Sequence, residues 1–250
     1  MTKTVMGIFA HPDDAELMCT GTLSLLRKAG LDVHIVTMAP GDKGTAELSR
    51  EEISRIRTAE AASSAGLIGA TYHCLDFEDL YIIYDRESIN RVTAIIRTVK
   101  PFLIFTASPD DYMQDHEMTS TIVQAACFAS GVKNMEVDVP PYEPIPYLYY
   151  CDPMEGKDIF GKPVLPSIYV DITGEIGIKE KMLSCHASQR NWLLLHHKID
   201  EYILAMKRFA AEQGKKTGTE YAEGFRQHLG HGFPHDNILK EILGNKLHTS

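Results

Sequence analysis

The chain has 250 residues, of which 44% are hydrophobic and 24% charged, and this is enough apolar material for a sizeable core. Its 25 Lys and Arg against 34 Asp and Glu give a formal charge of −9 at pH 7, with no basic run. A chain with this net negative charge lacks the clustered Lys and Arg residues that are typical of a nucleic-acid-binding protein. We also expect no membrane span, since no apolar stretch reaches roughly 20 residues, and no secretory signal.

Five cysteines are scattered along the chain in apolar-looking surroundings. They resemble the buried thiols of a reducing compartment more than a disulfide framework or a cysteine zinc site. We therefore expect a cytoplasmic protein. The cysteines are Cys19, Cys74, Cys127, Cys151 and Cys185.

Strand-like and helix-like segments alternate along the chain, which predicts an α/β fold with a doubly wound, mostly parallel sheet and helices on both faces. The predicted strands are Val5–Ala10, Asp32–Ala39, Thr71–Leu75, Pro101–Thr106, Tyr147–Tyr150 and Ser167–Ile172. The first predicted helix follows the first strand. Further helices are predicted from Ser49 to about Gly66, from Asp85 to about Val99, around Ile122–Phe128, and, in two pieces, from Thr173 to about Gln213. Without a clear linker or repeat, we expect one domain over residues 1–250, with a core of about 1–190 and a C-terminal helix and tail of about 190–250.

The most informative segment is Ile8–Glu16, where an apolar strand turns into a helix. His11, Asp13 and Asp14 follow the strand directly, and in an open α/β sheet ligands collect beyond the carboxyl ends of the strands. Helix capping is a plainer interpretation, since Asp at a helix start accepts backbone hydrogen bonds and favours the positive end of the dipole. Capping accounts for Asp13, Asp14 and Glu16 but says nothing about His11.

A second polar cluster, Ser108–Glu117, follows the fourth predicted strand and again places carboxylates and a histidine before a helix. In a doubly wound sheet the first and fourth strands are neighbours where the strand order reverses, so the two clusters would face one crevice. His11, Asp14 and His116 would then form a set of two histidines and one carboxylate with room for water. This composition is typical of a catalytic zinc site, although Fe²⁺ or another divalent ion also suits it.

Asp13 lies between two of these candidate ligands in sequence and would project beside the open position. A metal can lower the pKa of bound water from about 15.7 to about 7, and a nearby carboxylate can take the remaining proton. The same carboxylate can later deliver a proton to a leaving amine. The adjacent aspartates therefore favour a metal ligand, Asp14, beside a general base and acid, Asp13.

With both clusters described, the chain resembles the LmbE-like, or PIG-L-type, family of zinc-dependent N-acetylglucosaminyl deacetylases. The segment His11–Glu16 matches the family's HPDDxE signature, and Asp115-His116 matches the end of its second motif, usually His-x-Asp-His. Weaker agreements span most of the chain and comprise Gly41–Thr45, Arg57-x-x-Glu60, His186–Gln189 and Tyr221–Phe225.

The resemblance implies a Rossmann-like fold in a single LmbE-like deacetylase domain, with one zinc ion held by His11, Asp14 and His116. It implies that Asp13 acts as general base and then acid in the hydrolysis of an N-acyl group. The expected partner is a small N-acetylated amino sugar, a glycoside or a similar amide.

By the same analogy Arg57 would face the substrate, whereas the alternative is a surface pair of Arg57 with Glu60 on one helix. His196 and His197 lie in a Leu-rich segment and are interpreted as structural, and Trp192 as core or crevice lining. No G-x-G-x-x-G segment follows the first strand, and no serine has a G-x-S-x-G setting. Neither a dinucleotide cofactor nor serine-hydrolase chemistry is therefore expected.

The chain departs from the family pattern at Met113, where the family usually has a histidine that stabilises the developing oxyanion. A thioether can neither donate a proton nor carry positive charge, and losing one oxyanion donor typically costs about 10²–10³ in rate. Asp115, which would normally orient that histidine, would instead support a metal ligand. The candidates for the missing group are Tyr112, His186, His231 and His235.

Three functional hypotheses follow. The leading one is a zinc-dependent hydrolase that deacetylates a small N-acetylated sugar derivative. The second, motivated by Met113, is a metal-stabilised sugar-binding or regulatory protein without catalysis, and the third is a hydrolase of a different amide. The sequence leaves the substrate, the native metal and the oligomeric state open, and a homo-oligomer is compatible with a fold that often buries apolar loops by self-association.

Overall fold

In the computed structural model, residues 3–190 and 201–249 are described. The hypotheses about Trp192, His196 and His197 therefore lie outside the described residues. Eight strands occur in the described ranges, and the first six correspond to the six predicted strands. They are β1 (Thr4–Phe9), β2 (Asp32–Thr37), β3 (Thr71–Cys74), β4 (Leu103–Thr106), β5 (Tyr147–Cys151), β6 (Ile168–Asp171), β7 (Ala222–Gln227) and β8 (Leu247–Thr249).

These strands form one mixed sheet in the order β3-β2-β1-β4-β5-β7-β6-β8. The first five strands run parallel, and β7, β6 and β8 continue the sheet with antiparallel pairings. β1 lies between β2 and β4, with Val5 opposite both Val33 and Leu103. The strand order therefore reverses at β1 and β4, and the carboxyl ends of these two strands open on the same side.

Helices cover both faces of the sheet. In the described residues they are α1 (Asp14–Met18), α2 (Thr20–Lys28), α3 (Arg50–Gly66), α4 (Arg86–Val99), α5 (Gln114–Ala129), α6 (Ile176–Ser184), α7 (Glu201–Thr217) and α8 (Ile238–Leu243). One core joins side chains of α1, α2, α3, α6, α7 and α8 to one face of the sheet, and a second joins α4 and α5 to the other. The doubly wound α/β architecture is thus confirmed.

Two local features differ from the expected elements. The helix predicted after the first strand is broken at Cys19, whose φ of −146° and ψ of 8° separate α1 from α2. The tail beyond Gly214, which carries no clear periodicity, supplies β7, α8 and β8. Within the described ranges, no helix combines the length and the apolar character that crossing a bilayer requires.

Glu223 ties β7 to the start of α2. Its carboxylate accepts the backbone N–H groups of Gly21 at 3.0 Å and Thr22 at 2.7 Å, and it pairs with the buried ammonium group of Lys179. These contacts satisfy free donors of the first helical turn and place negative charge at the positive end of the helix. The antiparallel part of the sheet is therefore anchored beside the strand-to-helix corner that follows β1.

Candidate metal centre and active site

The corner between β1 and α1 has an uncommon backbone conformation. Asp13 precedes α1 with φ 99° and ψ −23°, in the left-handed region that non-glycine residues seldom adopt. It occupies the N-cap position but makes no side-chain capping hydrogen bond. The next residue, Asp14, accepts the backbone N–H of His11 at 2.8 Å. Capping therefore does not explain Asp13, whose backbone geometry resembles the strain found at functional sites.

The structure brings together the three residues expected to bind a metal. His11, Asp14 and His116 each offer one ligand atom, and these atoms lie within 4.8 Å of one another. His116 Nε2 is 3.2 Å from Asp14 Oδ1, and His11 Nδ1 is 3.7 Å from Asp14 Oδ2. All three side chains are buried, and His116 lies in the first turn of α5, which follows the loop after β4.

Each histidine of this set faces a second carboxylate through its other ring nitrogen. His11 Nε2 is 3.0 Å from Asp115 Oδ2, and His116 Nδ1 is 3.1 Å from Asp111 Oδ1. A carboxylate behind a histidine ligand is the usual arrangement in zinc proteins, where it fixes the tautomer and the ring orientation. The side chains present therefore fit a divalent metal ion, with Nδ1 of His11 and Nε2 of His116 turned toward Asp14.

The electrostatics of the cluster reflect these paired charges. Burial by itself lowers the pKa of a histidine, but the Asp115 hydrogen bond and the charge of Asp14 raise the pKa of His11. Asp14 and Asp111 likewise outweigh burial and raise the pKa of His116. For Asp14, burial opposes ionisation, and the two histidines hold its pKa well below the ordinary value. The cluster thus favours a negative carboxylate facing cationic partners.

Asp13 lies beside this cluster without belonging to the donor set. Its Oδ2 accepts the hydroxyl of Tyr202 at 2.5 Å and lies 3.5 Å from Nη2 of Arg57. Burial raises the pKa of Asp13, while the charge of Arg57 opposes the shift. Tyr202 is on α7, 189 positions from Asp13, and sequence reasoning did not single it out.

Arg57 is buried against the loop that follows β2. Its Nη2 donates to the carbonyl of Pro12 at 2.7 Å, and a Cβ on Gly41 would lie 2.5 Å from the guanidinium. A Cβ on Gly44 would collide with Nη1 as well, so both glycines leave room for this side chain. Glu60 instead accepts the backbone N–H of Ser188 at 2.8 Å. The surface pair of Glu60 with Arg57 is therefore not formed.

The cluster of His11, Asp14 and His116 opens into a cavity of about 350 Å³. Charged and polar side chains from several parts of the chain meet apolar ones there. The lining residues are His11, Asp13, Asp14, Leu17, Lys43, Gly44, Arg57, Asp79, Leu80, Tyr112, Met113, His116, Met154, Gln189 and Tyr202. Asp79 accepts the backbone N–H groups of Gly41 at 3.1 Å and Lys43 at 3.1 Å, which holds the loop after β2 in place.

The four candidates for the group missing at Met113 lie in different places. Tyr112 lines the cavity, is 51% exposed, and presents an edge-on ring contact with His116 at 5.7 Å between centroids. His186 is fully buried, with Nε2 3.3 Å from Glu16 Oε1. The two histidines of the tail, His231 and His235, are exposed and do not line this cavity.

Comparisons with known proteins find chains of similar sequence and fold. Residues 6–127 match the PIG-L family, described as GlcNAc-PI de-N-acetylase. Diacetylchitobiose deacetylase of Thermococcus kodakarensis is 28% identical over 237 residues, covering 90% of this chain and 82% of that protein. The 4-oxalmesaconate hydratase of Pseudomonas putida is 24% identical over 202 residues, covering 76% of this chain and 75% of that protein.

A solved structure extends the likeness to the whole fold. The N,N'-diacetylchitobiose deacetylase from Pyrococcus horikoshii, in complex with an inhibitor, has a TM-score of 0.78 and 27% sequence identity, covering 94% of this chain and 88% of that chain. The family match covers the two polar segments, Ile8–Glu16 and Ser108–Glu117, that supply His11, Asp14 and His116. Residues 6–127 of this chain form a PIG-L, or LmbE-like, family domain.

Proposed function

We propose that this protein is a metal-dependent N-deacetylase that hydrolyses the N-acetyl group of a small amino sugar or glycoside. One observation carries the proposal. A single cavity contains both a two-histidine, one-carboxylate donor set and a separate carboxylate, that of Asp13. The relatives that are named as deacetylases support the same reaction class.

His11, Asp14 and His116 are the proposed ligands of zinc, or of Fe²⁺ or another divalent ion. When bound, such an ion lowers the pKa of a water molecule from about 15.7 to about 7 and polarises the amide carbonyl. Asp115 and Asp111 keep the two imidazole rings oriented, which leaves Nδ1 of His11 and Nε2 of His116 for the ion.

Asp13 is the proposed general base and acid. Its carboxylate lines the cavity, retains 13% exposure, and is not needed as a ligand. As base it accepts a proton from the attacking water; as acid it returns that proton to the amine nitrogen when the C–N bond breaks. Arg57 lies 3.5 Å from the same carboxylate and supplies a positive charge next to it.

Tyr112 is the proposed hydrogen-bond donor to the developing oxyanion, in the role that Met113 cannot fill. Both side chains line the cavity, but a phenol donates a hydrogen bond and a thioether does not. Burial, followed by the charge of Asp14, raises the pKa of Tyr112, so the hydroxyl keeps its proton. A donor held near the oxyanion contributes roughly 10²–10³ in rate.

The cavity and the cysteines support the remaining parts of the proposal. A volume of about 350 Å³ is at the small end of the range for ligand sites and suits one sugar ring with its N-acetyl group.

All five cysteines are free thiols, which supports the cytoplasmic location that we propose.

Hydration of an unsaturated acid is a second candidate function. The hydratase relative from Pseudomonas putida favours it. The two reactions share a need for an activated water and a base. They are distinguished by the product, which is free acetate in one case and a hydroxy acid in the other.

The test is acetate release from a panel of N-acetylated amino sugars and glycosides, including N,N'-diacetylchitobiose. Metal-stripped protein is compared with protein reloaded with one equivalent of zinc or Fe²⁺. Release that depends on metal supports the proposal. Zinc-saturated protein that binds a panel member without releasing acetate would instead identify a binding protein, and turnover of an unsaturated acid alone would identify a hydratase.

A further inference from the structure

We propose that Tyr202 is a positioning residue for the reaction, holding the Asp13 carboxylate so that one of its oxygens faces the metal-binding cluster. This role rests on the proposed function. Tyr202 lies on α7, outside residues 6–127 that match the family. The C-terminal part of the chain would thus complete the catalytic site.

The two carboxylate oxygens of Asp13 have different surroundings. The Tyr202 hydroxyl donates to Oδ2 at 2.5 Å, and Arg57 Nη2 lies 3.5 Å from the same oxygen. Both contacts fall on Oδ2 and leave Oδ1 out, and the side chain keeps 13% exposure along the cavity. Oδ1 is therefore the oxygen available to a water molecule.

Asp13 needs such an external support because its own segment provides little. It follows a strand end with φ 99°, and its side chain makes no capping bond to α1. The terminal torsion of an aspartate is broad, so the carboxylate can rotate unless a partner fixes it. A donor of fixed position on another element removes this freedom, and a misplacement of 1 Å can cost roughly 100-fold in rate.

Tyr202 is itself held firmly. Its ring is 8% exposed and packs in a cluster with Leu17 of α1, Leu183 of α6, and Ile203 and Met206 of α7. Because Leu17 lies on the helix that Asp13 begins, the cluster fixes the phenol relative to the carboxylate. Burial and the charge of Asp13 also keep the phenol protonated, so that it acts as a donor.

The test is Tyr202→Phe, which removes the hydroxyl and keeps the ring. Tyr147→Phe is the matched control, because Tyr147 also donates to a carboxylate, Asp236 Oδ2 at 2.7 Å, but does so outside the cavity. For both variants we would measure kcat and KM with the panel member that wild type hydrolyses fastest. Bound zinc and the free energy of unfolding in urea are measured on the same preparations.

We expect Tyr202→Phe to lower kcat roughly 10- to 100-fold, with KM within about 3-fold of wild type. Zinc content and unfolding free energy should change no more than in Tyr147→Phe. A kcat equal to that of the control would overturn the role. A fall in kcat that accompanies lost zinc, lost folding or a large drop in stability would also overturn it, since the hydroxyl would then be structural. A wild type that releases no acetate refutes the proposed function itself, which is a separate outcome.

Discussion

Replacing Asp152 by Asn should make the folding stability less dependent on pH. Asp152 follows β5 directly and is 3% exposed, and its Oδ2 accepts Gln213 Nε2 at 2.8 Å. Burial raises the pKa of Asp152 from 3.8 to about 7, although the positive charges of Lys216 and Arg226 oppose this rise. Asn keeps an acceptor for Gln213 and cannot ionise.

The magnitude follows from proton linkage. Below pH 3.8 the folded and unfolded chains both hold this proton, and between 3.8 and about 7 only the folded chain holds it. Stability therefore falls by about 1.36 kcal/mol for each pH unit across this window, about 4 kcal/mol in total. The Asp152 contribution is fully present below pH 3.8 and is lost as the pH rises through about 7.

The assay is urea unfolding of wild type and Asp152→Asn at about pH 5 and about pH 8. The stability of the variant relative to wild type should grow by about 3 kcal/mol between these two conditions. Asp138→Asn, an exposed carboxylate, is the control and should show no such growth. A difference between wild type and Asp152→Asn that stays constant with pH would refute the buried-charge argument.

Three further substitutions test other parts of the structure. Gly44→Ala brings a methyl group against the Arg57 guanidinium, and kcat/KM for acetate release should fall roughly 10- to 100-fold. Glu223→Gln leaves the buried Lys179 without a charged partner, and urea titration should show a loss of about 3–5 kcal/mol in unfolding free energy. Asp111→Asn removes the carboxylate behind a ligand histidine, and competition with a chelator should show about 10- to 100-fold weaker zinc binding.

Each of these substitutions has a matched control. A Cβ on Gly177 meets nothing within 4 Å, so Gly177→Ala should leave kcat/KM unchanged. Glu220 is exposed near the start of β7, and Glu220→Gln should alter stability by less than about 0.5 kcal/mol. Asp110 is exposed next to Asp111, and Asp110→Asn should leave zinc affinity unaltered. Equal effects in a variant and its control would argue against the assigned contact.

The fold around His11, Asp14 and His116 could be predicted because its sequence signals are local. β1 and β4 are short apolar runs that the sheet buries on both faces, and each is followed by polar residues. Once the strands are parallel neighbours, their carboxyl ends must meet, and this brings His11 and Asp14 to His116.

The parts that were missed depend on contacts between distant positions. Tyr202 lies in an amphipathic helix and is indistinguishable in sequence from a core tyrosine, and its partner Asp13 is 189 positions away. Asp111 is one of several carboxylates in its segment. Only the three-dimensional placement of His116 on α5 shows that Asp111, in the preceding loop, is the one that faces it. The strand β7 contains Gly224 and two charged residues, so its sequence shows no clear alternation of apolar and polar residues. Its position between β5 and β6 could therefore not be predicted.

The most direct test of the proposed chemistry is a paired measurement of bound zinc and acetate release in wild type and Asp13→Asn. Asn tolerates the left-handed backbone at this position and keeps an oxygen for Tyr202, so folding and zinc content should match wild type. Without a carboxylate to accept and return the proton, kcat should fall about 10²–10⁴-fold. An Asp13→Asn protein that binds zinc and releases acetate at the wild-type rate would contradict the assignment of Asp13 as general base.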